Sequence, residues 1–405
     1  MTTFPVGIYK NRSAMKKNGR TVLISKEFYP KYQEKLDFLP WIRYFNDVNH
    51  LLGSEGYTMG TMKEVAAHAG VSVATVSNVI TGKRTVSPEI QKKVLQAIEE
   101  LDYHVNTVAR NLKTQRTMNI GVLLPDATEL FYNGVMRGIM AAASENGYNI
   151  TMLNSDYDFR KEKQMIDTLR SNRVDAIILD SIASCDDLEQ WGETLCSIAN
   201  TLPLITIMTA VSPKISSITV DCIGTSSQLT QHLLDQGYRR ICYLSGPTIL
   251  AHQRDRLEGY KQTLIRNGIE VDEKLIFVQD FLSSSAYQIV QNALDEGLRF
   301  DAIQVANDQA AIGVLKALKE RGIQVPQEVA ITGYDGLFTG TLVSPSITTI
   351  RVPAYSLGYQ AVQECLRMMQ EPSPVANIRH HVLDTPLIIR GSSAYCRDAA
   401  WELDR

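Results

Sequence analysis

The chain has 405 residues, 44% hydrophobic and 21% charged, a composition ordinary for globular proteins and a length that calls for two or three folding units. No eighteen-residue window is uniformly apolar, and no apolar run with a small-residue cleavage site follows the first residues, which argues against a membrane span and a secretory signal. The net charge of −3 is unevenly spread: residues 60–117 carry eight Lys/Arg against five Asp/Glu, while residues 118–405 carry 24 against 34. A basic head on an acidic body suits a nucleic-acid-contacting end.

Residues 1–59 read as an irregular extension, with Phe38, Trp41, Tyr44 and Phe45 but no period. Residues 60–105 read as short helices. Thr61 is placed to cap a helix over Met62–Ala69, Gly70 supplies a turn at positive φ, and Ser72 caps a second helix, Val73–Ile80. Val65, Val71, Val76 and Ile80 fill the space between them, and Ala66 lets them cross closely. Ser87-Pro88-Glu89 starts a third helix, whose expected core face is Ile90, Val94, Leu95, Ile98 and Leu101. With Val76 and Ile80 inward, Val73, Ala74, Ser77 and Asn78 turn outward together. The Asn78 amide suits adenine and small apolar side chains suit a thymine methyl, while Ser72 and Thr75 suit phosphates. This is a helix-turn-helix pattern.

Residues 106–118 form a polar linker, too short and too polar to hold a helix alone. From residue 119 to 391, apolar β-branched runs alternate with amphipathic segments. The runs include Ile120–Leu124, Ile150–Leu153, Ala176–Leu179, Leu204–Ile207, Ile241–Leu244, Ala302–Val305 and Val329–Thr332. Between them lie helical patterns at Val135–Asn146, Ser226–Gln236, Gln253–Asn267 and Ala310–Arg321. This alternation predicts α/β structure with parallel sheets covered on both faces; periodicity alone leaves one large sheet and two smaller lobes open. Residues 392–405 are a tail without a leucine heptad, which argues against a tetramer-forming coiled coil. Six scattered cysteines with no CxxC speak against a zinc site and suit a reducing cytoplasm, so no metal and no cofactor is expected.

The stretch Thr61-Met-Lys-Glu-Val-Ala-Ala-His-Ala-Gly-Val-Ser-Val-Ala-Thr-Val-Ser-Asn-Val-Ile-Thr-Gly82 resembles the headpiece of the lactose/galactose repressor family. The likeness continues through Val86-Ser-Pro, Leu101-Asp-Tyr103 and Ala109-Arg-Asn-Leu-Lys113, and spans roughly residues 60–391. It implies a cytoplasmic, homodimeric transcriptional regulator, most simply a repressor, that binds double-stranded operator DNA under the control of a small-molecule effector. It implies a linker that becomes a hinge helix on DNA, with Ala109, Arg110 and Leu112 at the minor groove and Leu112 as the wedge. Met59-Gly-Thr-Met62 sits where such chains begin, so Met59 or Met62 is the expected true start.

For the body the resemblance implies a periplasmic-binding-protein-like pair of lobes joined by three crossovers. One would take 119–221 and a returning segment near 351–380; the other would take 222–348 and the final strand Leu387-Ile-Ile389. Phe131 and Tyr132 would offer ring faces to the effector, Phe281 its stacking floor, and Arg256, Asn307 and Asp335 its polar contacts, with Asp308 capping the helix after Asn307. Met208 stands where the family has Asp, Leu130 where it has Pro, and Leu250 where a purine-binding member has Arg. Met208 removes a charged acceptor and makes the pocket less polar, Leu130 leaves the pose of the aromatic loop open, and Leu250 points to a sugar or sugar derivative rather than a purine. A solute-binding protein of a transport system shares the clamshell but would need an export signal and no helix-turn-helix. A two-lobe α/β enzyme is a further alternative, but no Gly-x-Ser-x-Gly elbow, P-loop or Gly-x-Gly-x-x-Gly fingerprint is present.

Overall fold

The computed structural model describes residues 13–17, 20–24, 61–81, 84–103 and 116–394, and the chain divides into two compact units, Met1–Asn106 and Thr107–Arg405. In the first unit, β1 (Ser13–Lys17) and β2 (Arg20–Ile24) pair antiparallel, where an irregular extension was expected. The run Thr21-Val22-Leu23-Ile24 favours a strand, and the two segments are separated in sequence by Asn18-Gly19, a pair suited to two-residue hairpins.

Three helices follow, α1 (Met62–Ala69), α2 (Val73–Thr81) and α3 (Pro88–Glu100). The Thr61 hydroxyl accepts from Glu64 N while the Glu64 carboxylate accepts from Thr61 N, a complete capping box. Gly70 closes α1 at φ +66°. Val65, Ala66, Val76, Val94, Ala97 and Tyr103 form the buried core, with Ile90, Ile98 and Leu101 packed against it. Leu95 corrects the expected third-helix face: it is 52% exposed. The stripe runs through Ile90, Val94, Ala97, Ile98 and Leu101, and Leu95 lies about 100° of helix rotation from Val94. Ser87 occupies the N-cap position of α3 without a side-chain capping bond, and Pro88 alone supplies the start signal.

The second unit has two lobes. The first contains β3 (Asn119–Leu124), α4 (Leu130–Glu145), β4 (Asn149–Asn154), α5 (Phe159–Ser171), β5 (Ala176–Leu179), α6 (Cys185–Ala199), β6 (Leu204–Met208) and β7 (Ser216–Val220). The second contains α7 (Cys222–Asp235), β8 (Ile241–Ser245), α8 (Ala251–Arg266), β9 (Ile276–Val278), α9 (Ser283–Asp295), β10 (Ala302–Val305), α10 (Asp308–Glu320) and β11 (Ala330–Thr332). The chain then crosses back through β12 (Thr349–Ile350), α11 (Ala354–Met368) and β13 (His380–Leu383), and returns as β14 (Leu387–Ile388).

The first-lobe sheet runs β13-β7-β6-β5-β3-β4 and the second β11-β10-β8-β9, every pairing parallel. Their strands are nearly continuous apolar runs because helices cover both faces; β5 and β6 are buried at every position. The returning segment therefore reaches Leu383, beyond the expected 380. The final strand joins neither large sheet but pairs antiparallel with β12, and only afterwards does Ser392 O accept from Ile331 N in the second lobe.

What locks the returning α11 to the first lobe is a crossing of glycines. A Cβ on Gly138 would overlap the Tyr355 carbonyl oxygen, and one on Gly358 would overlap that of Val135. Among the described residues no helix is long and apolar enough to cross a membrane.

Candidate nucleic-acid interface and ligand cleft

In the first unit, α2 carries the DNA-reading candidates. Val76 is fully buried and fixes its rotation, leaving Ser72, Val73 and Ala74 exposed and Thr75, Ser77 and Asn78 half-buried. The Ser72 hydroxyl accepts from Thr75 N at 3.1 Å and lies 2.9 Å from Thr75 Oγ1, so one side chain caps the helix and pairs the two phosphate candidates. His68 meets Glu100 at 2.6 Å and ties α1 to α3 behind this face. Ala109, Arg110 and Leu112, with most of the linker, lie outside the described residues.

In the second unit, loops from the carboxyl ends of both sheets meet across the cleft between the lobes, the usual ligand position in parallel α/β folds. Ile182 from the loop after β5, Leu250 and Phe281 from the loops after β8 and β9, and Ala306 after β10 form one buried apolar cluster. Tyr157, after β4, packs on it with its ring 6.1 Å from that of Phe281. The cluster joins the lobes. Phe281 sits at φ +69°, a left-handed backbone uncommon for a bulky residue, and is 5% exposed.

Polar groups gather around this cluster. Arg256 on α8 is 3% exposed, places its guanidinium carbon 3.4 Å from the Tyr334 ring centroid, and donates from Nη1 to Ala306 O at 2.9 Å. Tyr334 is itself held by Thr225 at 2.7 Å. Across the cleft, Asp180 is 1% exposed and accepts from the Tyr132 hydroxyl at 2.8 Å. Among the described residues, Arg256 Nε, Asp180 Oδ1, both amide atoms of Gln279 and Nδ1 of His252 have no hydrogen-bond partner. Native structures rarely leave such buried atoms unpaired away from ligands.

Burial sets the titration of the carboxylates. It pushes Asp180 up to about 8, with Glu162 and Glu129 adding repulsion against the Tyr132 bond and Arg256. It pushes Glu129 up to about 7 despite the Tyr157 hydroxyl, with Asp335 of the opposite lobe raising it further. Asp335, half-buried at φ +99°, rises to about 6 by burial, opposed by Arg256. His252 is driven down to about 3, chiefly by burial and then by Arg256. Three carboxyl groups therefore face one guanidinium and a neutral imidazole.

The structure brings Arg256, Phe281 and Asp335 to the cleft, and places the other expected contacts differently. Phe131 and Tyr132 begin α4, meet edge to face at 5.3 Å, and are 6% and 5% exposed within the first-lobe core. Their ring faces are covered, and the Tyr132 hydroxyl acts through Asp180. Asn307 is the cap expected of Asp308: its Oδ1 accepts from Ala310 N at 2.8 Å and its Nδ2 donates to Phe281 O at 3.3 Å. Asp308 instead accepts from Leu337 N. Asn307 is the residue with extended backbone before the first helical turn, which is where a capping oxygen reaches N3. Sequence reading missed Glu129, Tyr157, Ile182 and Gln279. A usable signal existed: each lies in a loop directly after a parallel strand. Met208 is buried in the first-lobe core and Leu250 in the bridging cluster, so both departures from the family pattern add apolar surface.

Residues 61–106 match the bacterial regulatory proteins of the lacI family, and residues 230–393 match the periplasmic binding protein-like domain. The HTH-type transcriptional regulator RegA of Clostridium saccharobutylicum is 33% identical over 337 residues, covering 82% of this chain and 99% of that protein. The ribose operon repressor of Escherichia coli K12 is 33% identical over 316 residues, covering 78% and 94%. Among solved structures, the lac repressor dimer bound to operator and the anti-inducer ONPF superposes with a TM-score of 0.74 at 26% identity, covering 82% of this chain and 99% of that one.

Proposed function

Because the chain belongs to the lacI family of bacterial regulatory proteins, and is thus a DNA-binding transcriptional regulator of the repressor type, we propose that an uncharged sugar bound between the lobes of its body sets its grip on operator DNA. In this reading α2 lies in the major groove with Val73, Ala74, Ser77 and Asn78 toward base edges and Ser72 and Thr75 toward phosphates. Ala109, Arg110 and Leu112 act in the minor groove, and the working unit is a homodimer on a divided site.

The observation that carries the ligand reading is a pair of buried polar groups from opposite lobes, the Arg256 guanidinium and the Asp180 carboxyl, each retaining a polar atom without a partner among the described residues. A polyol supplies both acceptors and donors to such a pair. A phosphorylated or carboxylated ligand would carry its negative charge into a site that already drives the carboxyls of Glu129, Asp180 and Asp335 toward their neutral form, a costly arrangement away from water. Aromatic and apolar surface from Tyr157, Phe281 and Leu250 suits the C–H face of a sugar ring. A ligand that prefers one arrangement of the lobes shifts the population toward it, and the dimer transmits that shift to the linker.

The test is a thermal-shift panel of neutral pentoses, hexoses and disaccharides beside their phosphates, D-ribose included. A ligand selective for the native state raises the melting temperature. Operator binding with and without the active sugar then gives the direction of control. Stabilisation by the phosphates alone would overturn the proposal, as would an active sugar that leaves operator affinity unchanged.

A further inference from the structure

Glu162 lies on α5, outside the cleft, and is completely buried. Its carboxylate has no salt bridge among the described residues. It is instead a pure acceptor for three donors from two other elements: Oε1 accepts from Ser181 Oγ at 2.7 Å and from Trp191 Nε1 at 2.7 Å, and Oε2 accepts from Ile182 N at 2.8 Å. Burying a carboxylate without a counter-ion is costly and raises its pKa; the three donors oppose that rise. A general packing role would be met more simply by an apolar side chain.

What the carboxylate holds gives it a purpose. Ser181 and Ile182 lie in the loop between β5 and α6, and Trp191 is nearly two turns into α6. The loop carries two parts of the cleft. Asp180 immediately precedes Ser181, and Ile182 enters the apolar cluster with Leu250, Phe281 and Ala306 of the other lobe. Ala183 N donates in turn to Ser181 Oγ at 3.3 Å, so the run 181–183, which Asp180 directly precedes, hangs from one side chain. Among the described residues, Asp180 is otherwise fixed by Tyr132 and by its own backbone bond to Leu123 O.

We infer that Glu162 is the positioning residue of the effector site: it sets the Asp180–Ala183 loop at the height where Asp180 faces the ligand and Ile182 meets the second lobe. This rests on the cleft reading above. Through the shared Oε1 it also couples α6 to that loop, because Ser181 and Trp191 donate to the same oxygen. A loop movement therefore alters the Trp191 bond.

The substitution Glu162→Gln is discriminating. An amide oxygen can keep the two Oε1 donors, but its NH2 then confronts the Ile182 N–H, donor against donor. Trp191→Phe removes only the α6 arm and leaves the carboxylate. In hydrogen exchange on the full-length protein, Glu162→Gln should speed exchange in residues 180–184 by about tenfold or more, with β3 unchanged. Unchanged exchange overturns the inference, and so does a uniform increase across the first lobe, which would mark a general packing role.

In sugar titrations of the protein–operator complex, starting with D-ribose, Glu162→Gln should raise the half-effective concentration by about tenfold while sugar-free operator affinity stays within about twofold. Trp191→Phe should raise it less. An equal half-effective concentration in wild type and Glu162→Gln overturns the positioning role. A wild-type protein blind to every sugar of the panel defeats the cleft reading itself, and Glu162 is then judged on exchange alone.

Discussion

Arg256 answers two demands at one position. Its guanidinium carbon lies over the Tyr334 ring and one nitrogen is spent on the Ala306 carbonyl, which restrains the fork before any ligand arrives. Preorganisation of this kind lowers the entropy that binding must overcome. Arg256→Lys keeps the charge but loses the flat, forked donor set, and a flexible ammonium cannot stack on Tyr334 in the same way. Calorimetry with the active sugar should show affinity falling by about tenfold or more while operator binding without sugar is retained. Retained sugar affinity would remove Arg256 from the site. On α2, Asn78→Ala should relax preference at one operator base pair by about 1–3 kcal/mol, read by binding to single-base operator variants. Equal weakening on every sequence would make Asn78 a positioning contact instead. Residue positions were legible where chemistry is singular, as with Arg256, which the structure brings to the cleft. They were less legible where two neighbouring residues offer the same chemistry: Asn307 and Asp308 both cap well, and only the backbone decided that Asn307 does.

At the scale of elements, the head rests on short-range signals that a sequence displays openly. The Thr61–Glu64 box, Gly70 and Pro88 fix three helix boundaries. Thr61→Ala should cost the head about 0.5–2 kcal/mol, measured by thermal melting of the full chain. Gly70→Ala meets open space, so only the positive φ resists it, at about 1–2 kcal/mol. The crossing of α4 and α11 is a different case. Gly138→Ala or Gly358→Ala drives a methyl into a backbone carbonyl that cannot step aside, and should destabilise by at least about 1–3 kcal/mol with loss of cooperative melting of the body. A body melting like wild type would show that the two helices can slide apart. Nothing in the local pattern announces this crossing, because α4 and α11 are over 200 residues apart in the chain. The same limit explains the other surprises. Strands such as Ala176–Leu179 were legible as buried apolar runs. The pairing of β14 with β12 was not, because both are two-residue pieces whose partner is chosen by the crossovers. Leu95 misled by type: an isolated leucine one step off a stripe reads as core until neighbouring helices show which side they cover.

For the whole molecule, closure of the lobes around ionisable groups makes stability depend on pH, with two opposing contributions. Asp180 and Glu129 have pKa values of about 8 and about 7 in the folded chain, raised first by burial. A carboxyl of this kind favours the folded, closed arrangement while protonated. Its contribution is full below about pH 4, where the unfolded chain is also protonated, and is lost as the pH rises through 7 and 8. His252 and His232 act with the opposite sign, since burial lowers both. Their contribution is present above about pH 6.5 and is lost as the pH falls. The two slopes meet in the mildly acidic range, where melting temperature should peak. Asp180→Asn separates them. Its amide oxygen still accepts from Tyr132, its volume is unchanged, and its titration is gone. The variant should melt like wild type near pH 4 and then lose less stability than wild type as the pH rises toward about 8, flattening the alkaline limb. If both limbs keep their wild-type slopes, Asp180 does not ionise against burial in the closed cleft. The two lobes would then come together without the electrostatic cost that an uncharged, hydroxyl-rich ligand is suited to relieve.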